Sequence, residues 1–404
     1  MTELTARELL VHLYETAVDA VDGRRLVQDW SREHPAEKFS HCIAIGKAAP
    51  AMLQGALDSF NTIGSALLIT RAGHTPRALK KSRTVTVLES AHPVPDRSSL
   101  DAGDALLKYL GEIPAQSRLL VLISGGTSSL VEVPEEGIAL EQLQQINDYL
   151  LASGKDIQAM NAWRKRFSRI KGGGLLRYVQ HLQCTQLILS DVEGDDPAVI
   201  GSGLLVQSGQ AGHDGDEQLL AMLPQTSGQA QEFPSIETAV IGTNTKALRA
   251  VAAEAEHQGL EACLHETFVR GDAVEQGRVL GDYLRGASCG VHIWGGETTV
   301  RLPGTPGLGG RNQSLALSLA AAIDGVDELS VLAAGTDGID GNTPCAGAVV
   351  SGRSLQQIRQ MGFDVEQELA RANAGTVLMA TGELFQPGPT NTNVMDIVIA
   401  FKRS

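Results

Sequence analysis

Five cysteines are spread over 404 residues, and none stands in a C-x-x-C pair. An odd, scattered set of that kind excludes a disulfide framework and fits reduced thiols in a reducing compartment. Positive charge is also short. Lys and Arg total 33 against 47 Asp and Glu, a net charge of −14. Such a surface repels nucleic acid and anionic membranes, although a pocket can still be locally basic. The N-terminus Met1-Thr-Glu-Leu-Thr-Ala-Arg-Glu carries charge where a secretory signal needs an apolar stretch. No apolar run approaches the roughly 18 residues that span a bilayer. The expectation is a soluble, cytoplasmic protein with no nucleic-acid or membrane partner. Three motifs are missing as well: there is no G-x-x-x-x-G-K-[ST] phosphate loop, no H-E-x-x-H, and no G-x-G-x-x-G between a strand and a helix with an acid about 20 residues on.

What the chain does have is glycine, 44 of them, gathered in short polar motifs. Hydrophobic residues at 43% and charged residues at 20% are ordinary for a globular chain. At roughly 100–200 residues per domain, the length predicts two or three domains. Leu9, Leu10, Leu13, Ala17, Val18 and Val21 share one helical face. Apolar runs at 39–46, 65–70, 84–88, 118–123 and 186–189 alternate with helical stretches such as 97–110 and 140–152. Fully apolar strands alternating with helices predict a parallel sheet covered on both faces. Gln, Ser, Gly and Pro dominate from about 207 to 235, so the boundary is placed there: an N-terminal domain over 1–235 and a C-terminal α/β domain over 236–404. The second half restarts with a strand at 237–241 and a helix over 247–257. Gly290–Val300 reads as strand, glycine turn and strand. A helix over 312–323 and strands at 330–334 and 394–400 complete the pattern.

Ligands bind open α/β sheets beyond the carboxyl ends of the strands, where polar glycine loops let the backbone approach. Four such loops stand out. Ser124-Gly-Gly-Thr-Ser-Ser129 follows an apolar strand and suits a carboxylate or phosphate; the plain alternative is a turn with capping hydroxyls. Gly304-Thr-Pro-Gly-Leu-Gly-Gly-Arg-Asn-Gln313 leads into a helix, with Arg311 at its start, and suits polyphosphate; the alternative is a flexible connection. Ser190-Asp-Val-Glu-Gly-Asp-Asp196 holds four acids that could bind Mg2+, accept a hydroxyl proton, or merely cap a helix. Gly335-Thr-Asp-Gly-Ile-Asp-Gly-Asn-Thr343 places Asp337 and Asp340 after a buried strand, as ligands or as turn formers. The basic stretch 161–174 reads as a solvated helix face or as a contact for anions. His92, in a proline turn, is assigned a structural role, and Trp163 and Trp294 are assigned to the core.

Taken in order, these motifs resemble the glycerate 2-kinase family, also called MOFRL or hydroxypyruvate reductase-like. The resemblance is carried by Ala44-Ile-Gly-Lys-Ala-Ala, Ser90-Ala-His-Pro-Val-Pro-Asp, Ser124-Gly-Gly-Thr-Ser-Ser, Lys171-Gly-Gly and Leu189-Ser-Asp-Val-Glu-Gly-Asp-Asp. It continues through Gly295-Gly-Glu-Thr-Thr-Val, Gly309-Gly-Arg-Asn-Gln, Gly335-Thr-Asp-Gly-Ile-Asp-Gly and Pro389-Thr-Asn-Thr-Asn-Val. It implies a Rossmann-like N-terminal domain and a smaller C-terminal α/β domain, with its MOFRL core at about 288–400 and an active cleft between the two. It implies transfer of the ATP γ-phosphoryl group to the 2-hydroxyl of D-glycerate, giving 2-phosphoglycerate and ADP. The cations would be Lys47 and Arg311. Asp191 joins them as a catalytic acid, and Asp191 and Asp337 would hold Mg2+. Ser124, Gly125, Gly126, Thr127 and Ser128 would bind the acid. Gly307, Gly309, Gly310, Asn312, Gly296 and Glu297 would bind the nucleotide. The partners are then a small hydroxy acid and ATP, with a homodimer left open. The chain departs from the family pattern at 204–208 and at Gly271-Asp-Ala273. A nicotinamide-dependent hydroxypyruvate reductase and a non-catalytic acid sensor are the rival readings.

Overall fold

The computed structural model describes residues 4–153, 155, 157–207, 215–223, 233 and 235–403. Most of the Gln- and Gly-rich stretch over 207–235 therefore lies outside the described residues. The chain divides into two compact units, Gly23–Gly242 and a second made of Met1–Asp22 with Thr243–Ser404.

The Gly23–Gly242 unit is built on six strands: β1 His41–Ile45, β2 Ser65–Arg71, β3 Val85–Ser90, β4 Arg118–Ile123, β5 Gln183–Leu189 and β6 Glu237–Gly242. Their order is β3-β2-β1-β4-β5-β6 and every pairing is parallel, as the unbroken apolar runs predict. Leu119, Val121 and Ile123 of β4 join Ile43 and Ile45 of β1 in one core cluster, all of them buried. Each such side chain contributes about 1.5–3 kcal/mol when taken from water. The helix Arg97–Glu112 illustrates how the covering layer forms. Asp96 accepts the Ser98 amide at 2.8 Å and Ser99 Oγ accepts the Asp96 amide at 3.2 Å, a reciprocal N-terminal cap. Ser99, Ala102, Gly103, Leu106 and Leu110 then fall on the buried face.

The other unit holds β7 Ala262–Leu264, β8 Val269–Asp272, β9 Gly290–Thr299, β10 Leu329–Gly335, β11 Gly347–Ser351, β12 Leu384–Phe385 and β13 Asp396–Lys402. Its order is β12-β11-β10-β13-β9-β7, with β8 also on β9. The central pairings are antiparallel, whereas β7 and β8 run parallel to β9. The helix Arg311–Ala322 packs its Leu315, Leu317 and Leu319 into this unit's core.

Three expectations change. The strand expected to open the second domain is β6, the sixth strand of the parallel sheet, so the unit ends at Gly242 and not at 235. The first helix, Ala6–Ala20, belongs with the C-terminal segment: Tyr14 donates to Gly335 O at 2.7 Å and stacks edge-on against Phe385. Gly295 and Gly296 are no turn but the middle of the ten-residue strand β9. Glycine is needed there because a Cβ at Gly295 would lie 1.9 Å from Asn244 Oδ1, and one at Gly296 would lie 2.6 Å from Val269 O. Among the described residues, no helix is long and apolar enough to cross a membrane.

Candidate active-site regions

In the parallel-sheet unit, β1 and β4 are neighbours, and the loops leaving their carboxyl ends are locked together. Gly46 leaves β1 with φ of +130°, and a Cβ there would sit 2.1 Å from Ser124 Oγ, so only glycine fits. Lys47 N donates to Gly125 O at 2.9 Å, Ala48 N to Ser124 Oγ at 3.1 Å, and Thr127 Oγ1 to Ile45 O at 3.0 Å. These bonds fix where the Lys47 side chain starts. A Cβ on Gly126 would meet the Lys47 Cγ at 3.3 Å and the His92 ring at 3.0 Å, so lysine stem and imidazole flank this one glycine. Asp191 lies just past β5, the neighbour of β4, at the same carboxyl edge and half-buried.

Of the five residues expected to bind the acid, Ser124 and Thr127 are fully buried and spend their hydroxyls bracing the loops. Gly126 and Ser128 face a cavity of 240 Å³. Drug-sized ligands need roughly 300–1,000 Å³, so this space suits a smaller molecule. His92, Glu132, Asn147, Arg164 and Lys171 also line it. Lys171 and Glu132 form an ion pair with both side chains 3% exposed. Glu132 also accepts Ser168 Oγ at 2.5 Å and its neighbour's amide, Val133 N, at 3.0 Å. The glutamate itself is set by the helix Arg97–Glu112, since Glu132 N donates to Ser99 O at 3.0 Å and Gly103 lets the two backbones touch. Arg164 donates to Asn147 Oδ1 at 3.1 Å, and burial pulls its pKa down from the ordinary value. A guanidinium stays protonated regardless. With Lys171 and Glu132 cancelling, Arg164 leaves the cavity walls net positive, which suits an anion.

The acidic loop after β5 is partly structural. Asp196 accepts the Ala198 amide at 2.9 Å, and Lys165 Nζ donates to Ala198 O at 2.9 Å. Trp163 and Trp294 are core residues, as expected.

In the mixed-sheet unit the centre is Arg311, the first residue of its helix. Its Nε and Nη2 hold the two Asp396 oxygens at 2.6 and 2.9 Å, and its Nη1 meets Glu297 at 3.0 Å. Burial alone would make the guanidinium a weaker base, but Asp396, Glu297 and Asp340 outweigh it and push its pKa up. Asp396 sits opposite Gly296 in the β9–β13 ladder, which brings Gly296, Glu297 and Arg311 together. Asp337 and Asp396 flank Gly335, each with an oxygen 3.4 Å from where its Cβ would stand. Asp337 also accepts the Ile339 amide at 3.1 Å. Together with burial, the charges of Asp337 and Asp396 push the Tyr14 hydroxyl's pKa up.

The glycine loop before Arg311 is more occupied than its sequence suggests. Gly307 N donates to Arg371 O at 2.9 Å, Leu308 N to Asn373 Oδ1 at 3.0 Å and Gly309 N to Asn342 Oδ1 at 2.9 Å. The helix amides of Asn312 and Gln313 are capped by the buried Asp340 carboxylate at 3.1 and 2.8 Å. Gly310 has to be glycine, because a Cβ would lie 2.3 Å from Asp340 Oδ1. Burial pushes the Asp340 carboxyl up to about 7; Asp396 adds to this, while the amides and Arg311 oppose it.

Sequence reasoning did not single out Glu132, favoured a structural role for His92, and left Lys171 in a basic stretch read as a solvated helix face or a contact for anions. It also missed Asp396. The signal for that residue was available: a lone acid in an otherwise apolar strand is almost never buried without a partner.

Fold and sites define a two-unit α/β protein with polar glycine loops where its strands and helices meet. The chain matches the family model described as a domain of unknown function, DUF4147, over residues 9–234, and that of the MOFRL family over residues 290–396. It is 33% identical to Glycerate 2-kinase from Pyrococcus horikoshii, covering 96% of this chain and 92% of that one. It is 31% identical to D-glycerate 2-kinase from Thermotoga maritima, over 97% of each. The crystal structure of the glycerate kinase from Thermotoga maritima superposes with a TM-score of 0.86 at 30% identity, over 98% of this chain and 99% of that one. The chain belongs to the glycerate kinase, or MOFRL, family.

Proposed function

We propose that this chain is a glycerate 2-kinase that transfers the γ-phosphoryl group of ATP to the 2-hydroxyl of D-glycerate. The observation that carries this is the near full-length match: proteins named as glycerate 2-kinases align over 96% and 97% of this chain, so both units are shared with them.

Phosphoryl transfer asks a protein mainly for positioning and for charge neutralisation. The acid is assigned to the Lys47 edge. There Gly126 and Ser128 offer small polar contacts, Arg164 offers a fork for the carboxylate, and Lys47 offers a compact charge. His92, beside Lys47, orients the acceptor hydroxyl, and Asp191 accepts its proton. The Lys171–Glu132 pair shapes the wall without adding net charge. The nucleotide phosphates are assigned to Arg311. Asp396 fixes the guanidinium plane through two bonds, so the Nη1 side, met by the exposed Glu297, is where a phosphate oxygen can exchange in. Gly307 and Gly309 then shape the loop; their amides already have partners.

Mg2+ needs only one or two carboxylates besides phosphate oxygens and water. Asp337 and Asp191 are hard oxygen donors, half-buried at strand ends, and fit that demand. When bound, the ion would neutralise phosphate charge.

The test is ADP release with D-glycerate and ATP, with the position of the phosphate read by NMR. Formation of 2-phosphoglycerate supports the reading. Turnover only of hydroxypyruvate with NADH, or no ADP release across small hydroxy acids, overturns it.

A further inference from the structure

The mixed-sheet unit carries a cluster that the kinase reading does not use. β7 is a three-residue strand at the edge of the sheet, and it places Cys263 opposite His292 of β9. His265 follows directly, anchored by its amide to Ile293 O at 3.0 Å. The Cys263 sulfur and a ring nitrogen from each histidine all lie within 4.8 Å of one another.

The two imidazoles are oriented. His292 Nε2 stands 3.0 Å from Ser288 O, and a carbonyl can only accept, so Nε2 carries the proton and Nδ1 presents its lone pair. That Nδ1 lies 3.3 Å from His265 Nε2. The His265 ring is held flat on Trp294, with centroids 4.1 Å apart and planes 3° apart, and Tyr283 meets it edge-on at 5.2 Å. With metal–nitrogen bonds of roughly 2.0–2.1 Å, two nitrogens at that separation subtend about 105–110° at a shared ion, the tetrahedral value. Cys263 is exposed, so rotation about its short side chain can bring the sulfur to the roughly 2.3 Å such an ion requires.

We propose that Cys263 Sγ, His265 Nε2 and His292 Nδ1 form a site for one zinc-class divalent cation, its fourth position open to water. The Ser288 carbonyl is the outer partner that fixes a ligating histidine, as such sites require. One sulfur and two nitrogens select a borderline-soft ion and reject Mg2+, so the site is chemically separate from phosphoryl transfer. Binding is balanced by loss of the thiol proton: the thiol becomes a metal-bound thiolate and one proton leaves. His265, which donates to His292 without metal, moves its proton to Nδ1. The ion then ties the edge strand β7 to β9.

The experiment uses the full chain, stripped with a chelator and titrated with Co2+ as the spectroscopic stand-in for zinc. The expected result is one equivalent bound, with tetrahedral cobalt bands and a thiolate-to-cobalt charge-transfer band, all bleached by Zn2+ and unaffected by excess Mg2+. Cys263→Ser should abolish the charge-transfer band, and Cys289→Ser, at another exposed cysteine, should leave it. His292→Ala, or His265→Gln if the first unfolds, should weaken binding by at least about 10–100-fold, the loss known for outer partners alone. A spectrum without the charge-transfer band at one equivalent, a band that survives Cys263→Ser, or displacement by Mg2+ as readily as by Zn2+ overturns the site. Kinase activity is not read, so the outcome is independent of the proposed reaction.

Discussion

The two units hold their cations in opposite ways. In the parallel-sheet unit, backbone does the work: β1 and β4 exchange hydrogen bonds through their exit loops, and the Lys47 stem is set against Gly126 and His92. The strong ion pair there, Lys171 with Glu132, lies in the cavity wall and is sealed from water. In the mixed-sheet unit, carboxylates do the work: Arg311 is gripped by Asp396 and Glu297, and its helix start is capped by Asp340. The difference is that the Lys47 backbone is fixed by hydrogen bonds between exit loops, whereas the Arg311 guanidinium is fixed by carboxylates. Removing either should cost turnover, and removing the second should also cost folding, because it strands Asp396.

The largest expected effect tests the sealed pair. Lys171→Ala strands a buried Glu132 charge and should lower unfolding free energy by about 3–5 kcal/mol in urea denaturation. Lys171→Met with Glu132→Leu should recover most of it, because neither charge is then left unpaired. Next come the two cations. Lys47→Ala should cut turnover by about 10²–10³. Arg311→Ala should cut turnover similarly and also lower the thermal midpoint, because Asp396 is 3% exposed and loses its partner. An unchanged midpoint in Arg311→Ala would break the claim that buried Asp396 depends on this partner. A smaller effect is expected from Gly46→Ala, about 1–3 kcal/mol of stability, through overpacking against Ser124 and a positive φ.

The last prediction is the pH dependence that Asp340 confers. Its carboxyl titrates near 7 in the folded protein against an ordinary 3.8. The folded state therefore binds more protons than the unfolded state between those values, and stability falls as pH rises from about 4 to about 7. In Asp340→Asn that slope should be shallower, as read by melts across the range. An unchanged slope would assign the titration elsewhere.

Much of the parallel sheet was legible because its strands are continuous apolar runs bounded by polar turns; β4 and the helix Leu140–Ala152 begin and end where the pattern says. Less of the sites was legible. Ser124 and Thr127 look like ligand hydroxyls in the sequence, yet both are consumed by a neighbouring loop. Gly307 and Gly309 look like a phosphate cradle, yet Arg371 and Asn342 already hold their amides, and Asn373 holds that of Leu308 between them. Such partners stand 30 to 80 positions away in the chain, so no local spacing announces them.

By itself, the sequence determined the alternating α/β architecture and the glycines that leave strand ends, because hydrophobic period and glycine placement are local properties of the chain. Only the tertiary structure decided that the first helix joins the C-terminal unit, that β6 completes the parallel sheet, and that Asp396, Glu132 and Lys171 are buried and paired. The reason is physical: pairing and burial of a charge depend on which distant segments meet, and a strand carries no mark of the sheet that will accept it.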